Sequence, residues 1–280
     1  MRVKITADST CDLPKEMLNE YDIGIIPLSI VKGGVPYRDG LEITPKELFD
    51  YVESGEGICH TTAVNTHEYS DTFSRVLEEY DAIVHVNIGS GFSACNQNAN
   101  IAASEFENVF VVDSENLSMG MGYLVLEAAK MAKSGVRPKE IRDWLEVMKG
   151  KGEMSFVINT VKYLYKGGRC SAVAALGANI LGLKPRIEVI DGHMDVSKKY
   201  RGNMAKIAEQ YVRDKLSERD DIDDMGIFIV HTDIDPEILD VIYNTIEECG
   251  NFEEKYMGIA GCTISNHCGP GTFGIMFFRK

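Results

Sequence analysis

The apolar run Asp81-Ala-Ile-Val-His-Val-Asn87 stops at Ile88-Gly-Ser-Gly91 and passes into Phe92-Ser-Ala-Cys-Asn-Gln-Asn98. A run this short and apolar, closed by Gly-Ser-Gly, reads as a buried parallel strand entering a tight turn. Ser93 then falls where a helix N-cap would, with Asn96, Gln97 and Asn98 in the first turns. A helix start has N–H groups without internal partners and a partial positive charge, so it receives an anion. The Ser93 hydroxyl adds a donor at the same point, and Gly89 and Gly91 admit a ligand close to the backbone. The plainer reading is an ordinary strand–turn–helix with a serine cap.

The rest of the chain repeats that alternation. Arg2 to Ala7 reads as a first strand, followed by the loop Asp8-Ser-Thr-Cys-Asp12 and a helix with Asp12 as its N-cap. Ile23 to Val31 is a second strand-like run, turned back by Lys32-Gly-Gly34. Thr44-Pro-Lys-Glu47 is a capping box opening a helix, and Asn65 with Glu68 marks another. Thr61 and Thr62 read as part of a polar loop. After the strand Val109–Asp113, helices are expected from Ser118 to Lys133 and from Pro138 to about Lys149. Strands alternating with helices indicate βαβ units around a parallel sheet, whose C-terminal edge is where ligands bind. The loops 8–12, 61–65, 89–93 and 113–118 are all expected there.

Lys149-Gly-Lys-Gly152 marks a boundary, giving expected domains at 1–152 and 153–280. Beyond it come a strand, a short helix ending Lys166-Gly-Gly168 and an Ala-rich apolar helix at about 171–182, core by default or a lid over an apolar ligand. A hairpin turning at Asp191-Gly192, two helices, and closing strands at Tyr256–Ile264 and Thr272–Phe278 follow. Asn266 to Gly271, with His267, reads as the turn between those last strands. The mixture of hairpin and crossovers indicates a mixed sheet with helices.

Charge limits the partners. The 280 residues carry a formal net charge of −14, which disfavours nucleic acid and anionic membrane surfaces. The longest nearly apolar window, Ala172 to Leu183, is too short to span a bilayer, so no stable membrane insertion is expected. Met1-Arg-Val-Lys4 opens straight into a strand without a leader pattern. Seven cysteines with no C-x-x-C pair fit reduced thiols in a cytoplasmic protein. Between Lys162 and Arg201, eight basic residues stand against three acidic ones, a net +5 that leaves −19 for the remainder. A solvated face is the usual reason for such a run, and a docking surface or phosphate contact is the sharper one.

Three catalytic or cofactor readings compete. Ser93, Asp113 and His267 follow the chain order of an α/β-hydrolase triad, which makes a serine hydrolase or esterase the alternative. The elbow wants glycine two residues after the serine, where Cys95 stands. Cys59, His60, Cys262, His267 and Cys268 match no closed zinc pattern, so no metal is expected. Neither a G-x-G-x-x-G nor a Walker loop is present, so no nucleotide cofactor is expected.

Taken together, Asp8-Ser-Thr-Cys-Asp-Leu-Pro14, Ser90-Gly-Phe-Ser93, Val112-Asp-Ser114 with Gly120 and Gly122, and Tyr163-Leu-Tyr-Lys-Gly-Gly-Arg169 resemble the DegV family of bacterial fatty-acid-binding proteins. Leu183-Lys-Pro185, Arg201-Gly202 and His267 with Gly269-Pro-Gly271 extend the resemblance over essentially the whole chain. It implies an α/β fold: an N-terminal parallel α/β/α domain plus a C-terminal α/β domain with a mixed sheet, a long-chain fatty acid lying between them. It implies a carboxylate near Thr61, Thr62, Ser93 and His267, with Gly91 and Phe92 in the same loop. Arg169 and Arg201 match basic positions associated with presenting the acyl group to a separate fatty acid kinase subunit, which would hold the ATP. The chain itself would be non-catalytic. Two stretches differ from the usual Thr-Ser-Gln-Pro and Ser-Gly-Thr-Tyr, namely Thr61-Thr-Ala-Val64 and Ser93-Ala-Cys-Asn96, yet hydroxyls stay at 61, 62 and 93.

The chemistry is compatible with that implication. A buried carboxylate needs several hydrogen bonds to offset its desolvation, which hydroxyls and a helix start supply without burying a full positive charge. An acyl tail gains about 0.8 kcal/mol per buried CH₂.

Overall fold

The computed structural model describes residues 1–174 and 182–280. The first strand, β1 (Val3–Asp8), pairs in parallel with β2 (Gly24–Ile26). Pro27 and Leu28 then separate β2 from β3 (Ser29–Lys32), so the expected single run at Ile23–Val31 is two strands in two different sheets. β3 turns at Gly33-Gly34 into β4 (Val35–Arg38) and also pairs antiparallel with β5 (His60–Thr62), making a small three-stranded sheet. Thr61 and Thr62 are thus strand residues rather than loop residues. β6 (Ala82–Asn87) and β7 (Val109–Asp113) complete a four-stranded parallel sheet in the order β2-β1-β6-β7. Every residue of β6 is buried, as its unbroken apolar run requires of a central parallel strand.

Local signals set most of the helices. Thr44 and Asn65 each form a complete capping box, with Glu47 and Glu68, ahead of helices Pro45–Glu53 and Thr66–Leu77. Helices Ser118–Lys133 and Pro138–Met148 follow β7. Asp12 is not a helix N-cap: Pro14 holds that position before Lys15–Glu20. Asp12 instead has a left-handed backbone (φ 52°) and turns its carboxyl inward, where it is 7% exposed.

From Gly152 on, the chain builds a six-stranded mixed sheet. Its strands are β8 (Gly152–Val157), β9 (Leu183–Ile190), β10 (His193–Arg201), β11 (Ile222–His231), β12 (Glu254–Ile259) and β13 (Phe273–Arg279). They run in the order β10-β9-β8-β13-β11-β12, all neighbours antiparallel except β11 and β12. The hairpin turning at Asp191-Gly192 is there, longer than its apolar core alone indicates. The Ala-rich segment is described only as helix Ser171–Ala174; the remainder of the expected helix, 175–181, and with it the lid reading, lies outside the described residues.

One expected strand is partly a helix. β12 ends at Ile259, and Cys262–Cys268 is helical where a strand to Ile264 and then a turn were expected. The reason is tertiary. Asp12 Oδ1 accepts from Gly261 N (2.9 Å), while Asp39 accepts from Cys262 N (2.8 Å) and Thr263 N (3.2 Å). Carboxyl oxygens from distant residues thereby satisfy the orphan N–H groups of a helix start. A continuous hydrophobic cluster joins the two large sheets, drawing Val84, Val86 and Leu124 together with Phe156, Phe228 and Met276.

Candidate functional site

Between the loops at the C-terminal ends of β6 and β7, strand β5 and the helix Cys262–Cys268 lies a cavity of about 750 Å³, its open mouth included. Its apolar wall includes Leu28, Ile88, Leu117, Phe156, Met194 and Ile264. Polar groups come from Thr61, Thr62, Ser93, Thr263, His267 and Arg169. No aspartate or glutamate lines it among the described residues, although the chain as a whole is strongly acidic. A smaller apolar pocket of about 260 Å³ adjoins it, sharing Leu117, Phe156, Ile264 and Cys268.

Thr61 comes from β5 and His267 from the last turn of helix Cys262–Cys268. Their side chains meet, with Thr61 Oγ1 3.0 Å from His267 Nε2. The other ring nitrogen, Nδ1, is buried and has no hydrogen-bond partner among the described residues. It packs on Gly167, where any Cβ would run into the ring. Burial, and secondarily the Arg169 charge, pull the imidazole pKa down to about 4, so the ring is neutral at physiological pH.

Ser93 lies just before helix Cys95–Ala103, whose N-cap position is Ala94 rather than Ser93. Its Oγ still accepts from Cys95 N (3.3 Å) and lies 3.2 Å from Cys95 Sγ. Phe92 is buried in the cavity wall. Gly91 does not line the cavity; a Cβ there would collide with the Gly192 carbonyl of the β9–β10 turn, so this glycine lets the loop pack on the hairpin. The loop's first residue is held from beneath. Asp8 Oδ2 accepts from Ile88 N (2.9 Å) and Asn87 Nδ2 (3.1 Å), and Oδ1 accepts from Tyr69 OH (2.5 Å). His85 joins the same buried group through Thr6 and Asn87.

Arg169 is exposed at the cavity mouth, its Nη1 donating to Gly167 O (2.8 Å). Arg201 is also exposed; it is the last residue of β10 and does not line the cavity. The structure therefore groups Thr61, Thr62, Phe92, Ser93, His267 and Arg169, and leaves Gly91 and Arg201 outside. Asp12, Asp39 and Thr263 were not read as site residues from the sequence. In the sequence Asp12 reads only as a helix N-cap, and neither Asp39 nor Thr263 is singled out.

The hydrolase constellation does not assemble. Ser93 bonds to Cys95, His267 to Thr61, and Asp113 Oδ1 accepts from the Ser90 and Glu115 backbones. Among the described residues no three His, Cys, Asp or Glu side chains are grouped to hold a metal, and no helix is long and apolar enough to cross a membrane.

Comparison with known proteins decides the family. The profile of the family described as "Uncharacterised protein, DegV family" matches residues 2–280. The chain belongs to the DegV family. Among curated DegV relatives, a DegV domain-containing protein of Clostridium acetobutylicum is 31% identical over 282 residues, covering 100% of this chain and 99% of the relative. Among solved DegV structures, the fatty-acid-binding DegV family protein of Thermus thermophilus superposes with a TM-score of 0.90 at 27% identity, covering 100% of both chains. A stearic-acid-binding protein of Eubacterium ventriosum gives 0.83 at 25% identity, covering 99% of this chain and 98% of its own.

Proposed function

We propose that this chain binds a long-chain fatty acid and presents it to a separate ATP-dependent fatty acid kinase, carrying out no reaction of its own. The observation that carries the reading is the composition of the cavity: hydroxyls and a neutral imidazole in the wall of an apolar slot that no acidic side chain lines among the described residues. Thr61, Thr62 and Ser93 offer donors to a carboxylate, and the apolar wall accepts a tail, each buried CH₂ worth about 0.8 kcal/mol. The fatty-acid-binding names of the Thermus and Eubacterium proteins support the same ligand class. In this reading residues 1–152 form one domain and 153–280 a second that closes the slot. Arg169, at the mouth, and Arg201, on the end of β10, face outward and serve the kinase.

Mass spectrometry of an organic extract of the natively purified protein tests the first half, and a stoichiometric fatty acid is expected. An extract without one, together with no binding of added oleate, would sink the reading. For the second half, the protein incubated alone with ATP, Mg²⁺ and fatty acid is expected to form no acyl phosphate.

A further inference from the structure

We infer that Thr263 is a further ligand-contacting residue of this cavity, donating its hydroxyl to the carboxylate beside Thr61 and Ser93. The inference rests on the fatty acid reading above. Thr263 lines the cavity and is 4% exposed, yet its Oγ1 is buried with no hydrogen-bond partner among the described residues. A threonine within a helix commonly bonds its hydroxyl to the carbonyl four residues back. Here that residue is Ile259, the last of β12, which precedes the helix. No described residue takes the hydroxyl, and the side chain that bears it is part of the cavity wall.

The backbone holds Thr263 in place independently of any ligand. Asp39, 3% exposed, receives Cys262 N on Oδ1 and Thr263 N on Oδ2, and Ser9 Oγ donates to Oδ2 at 3.0 Å. Thr263 and His267 are four residues apart on this helix. They share a face, with Cβ atoms roughly 5–6 Å apart. The stripe that presents His267 to Thr61 thus presents a second hydroxyl one turn away. A carboxylate has two oxygens and about four acceptor sites, enough for Thr61, Ser93 and Thr263 together.

The test compares oleate binding by wild type, Thr263→Val and Thr263→Ser, with melting temperatures of the unliganded proteins. Valine keeps the shape and removes an unpaired buried hydroxyl, so the unliganded Thr263→Val protein is expected to be at least as stable as wild type. Its oleate dissociation constant is expected to rise about tenfold or more, the size of a lost hydrogen bond to a charged group. Thr263→Ser is expected to stay near wild type. Oleyl alcohol serves as a second probe, for which the difference between wild type and Thr263→Val should shrink.

Equal oleate affinity of wild type and Thr263→Val overturns the inference while leaving the fatty acid reading standing. So does a loss shared by Thr263→Ser and accompanied by a lower melting temperature, which identifies a packing role. Failure of wild type itself to bind oleate overturns both. Should Thr263→Val not fold, Thr263→Ala against Thr263→Ser carries the same comparison.

Discussion

Thr61 Oγ1 and His267 Nε2 lie 3.0 Å apart although 206 residues separate them in the chain. The contact ties β5 of the small sheet to the helix Cys262–Cys268, and both residues line the cavity. For the Thr61 hydroxyl to donate to an anion, the shared proton must sit on Nε2, so that the imidazole donates and the threonine hydrogen turns to the ligand. A neutral ring can adopt that tautomer.

Thr61→Val removes the relay and one donor, and Ser93→Ala removes the donor on the facing loop. Each is expected to weaken fatty acid binding about tenfold or more, since a hydrogen bond to a charged group is worth about 1.5–3 kcal/mol. Isothermal titration with oleate checks this; unchanged dissociation constants in both variants would remove these side chains from the carboxylate site.

Asp12 links pH to stability. Burial raises its carboxyl pKa from 3.8 to about 8, against the lowering effects of the Ser118 hydroxyl (2.5 Å) and the Gly261 N–H. A raised value means that the folded state holds a proton which the unfolded chain releases. The stabilisation from this group is therefore complete below about 3.8 and is lost as pH rises through about 8. Asp12→Asn keeps the size and an acceptor for Gly261 N. Denaturant titrations of wild type and variant between those limits should show a component of stability falling with rising pH in wild type alone. Parallel curves would rule it out.

Most of the scaffold was legible because its signals are local. The buried run 81–87, the capping boxes at Thr44 and Asn65 and the turn at Asp191-Gly192 each carry their own instruction within a few residues. The helix bearing His267 was not legible, because its start is capped by Asp12 and Asp39, which are 249 and 223 residues from the N–H groups they receive. No window around Cys262 contains that information. The same gap hid Thr263, whose significance is that its hydroxyl lacks a partner among the described residues, a property of the packed molecule. Gly91 does allow a close approach, and the group that makes it is the Gly192 carbonyl of the distant hairpin.

The two arginines supply a test of the partner step. Among the described residues neither Arg169 nor Arg201 has an ion-pair partner, and both are exposed. Two other cations of the same segment are engaged within the chain: Arg186 pairs with Glu188 (3.3 Å), and Lys198 bonds to Asp214 (2.5 Å). A guanidinium kept free of its own chain's carboxylates suits a carboxylate or phosphate brought by another protein, which it meets with paired donors that lysine lacks. Arg169→Lys and Arg201→Lys are expected to leave oleate affinity near wild type. Acyl phosphate formation with the kinase should fall, more steeply when both are changed together. Arg169 is the sharper case, since it is exposed and also lines the cavity. Its replacement by Lys keeps the charge that depresses the His267 pKa, so any loss of turnover reports the guanidinium geometry rather than the field. Full activity of both lysine variants with the kinase would show that these arginines have no such role.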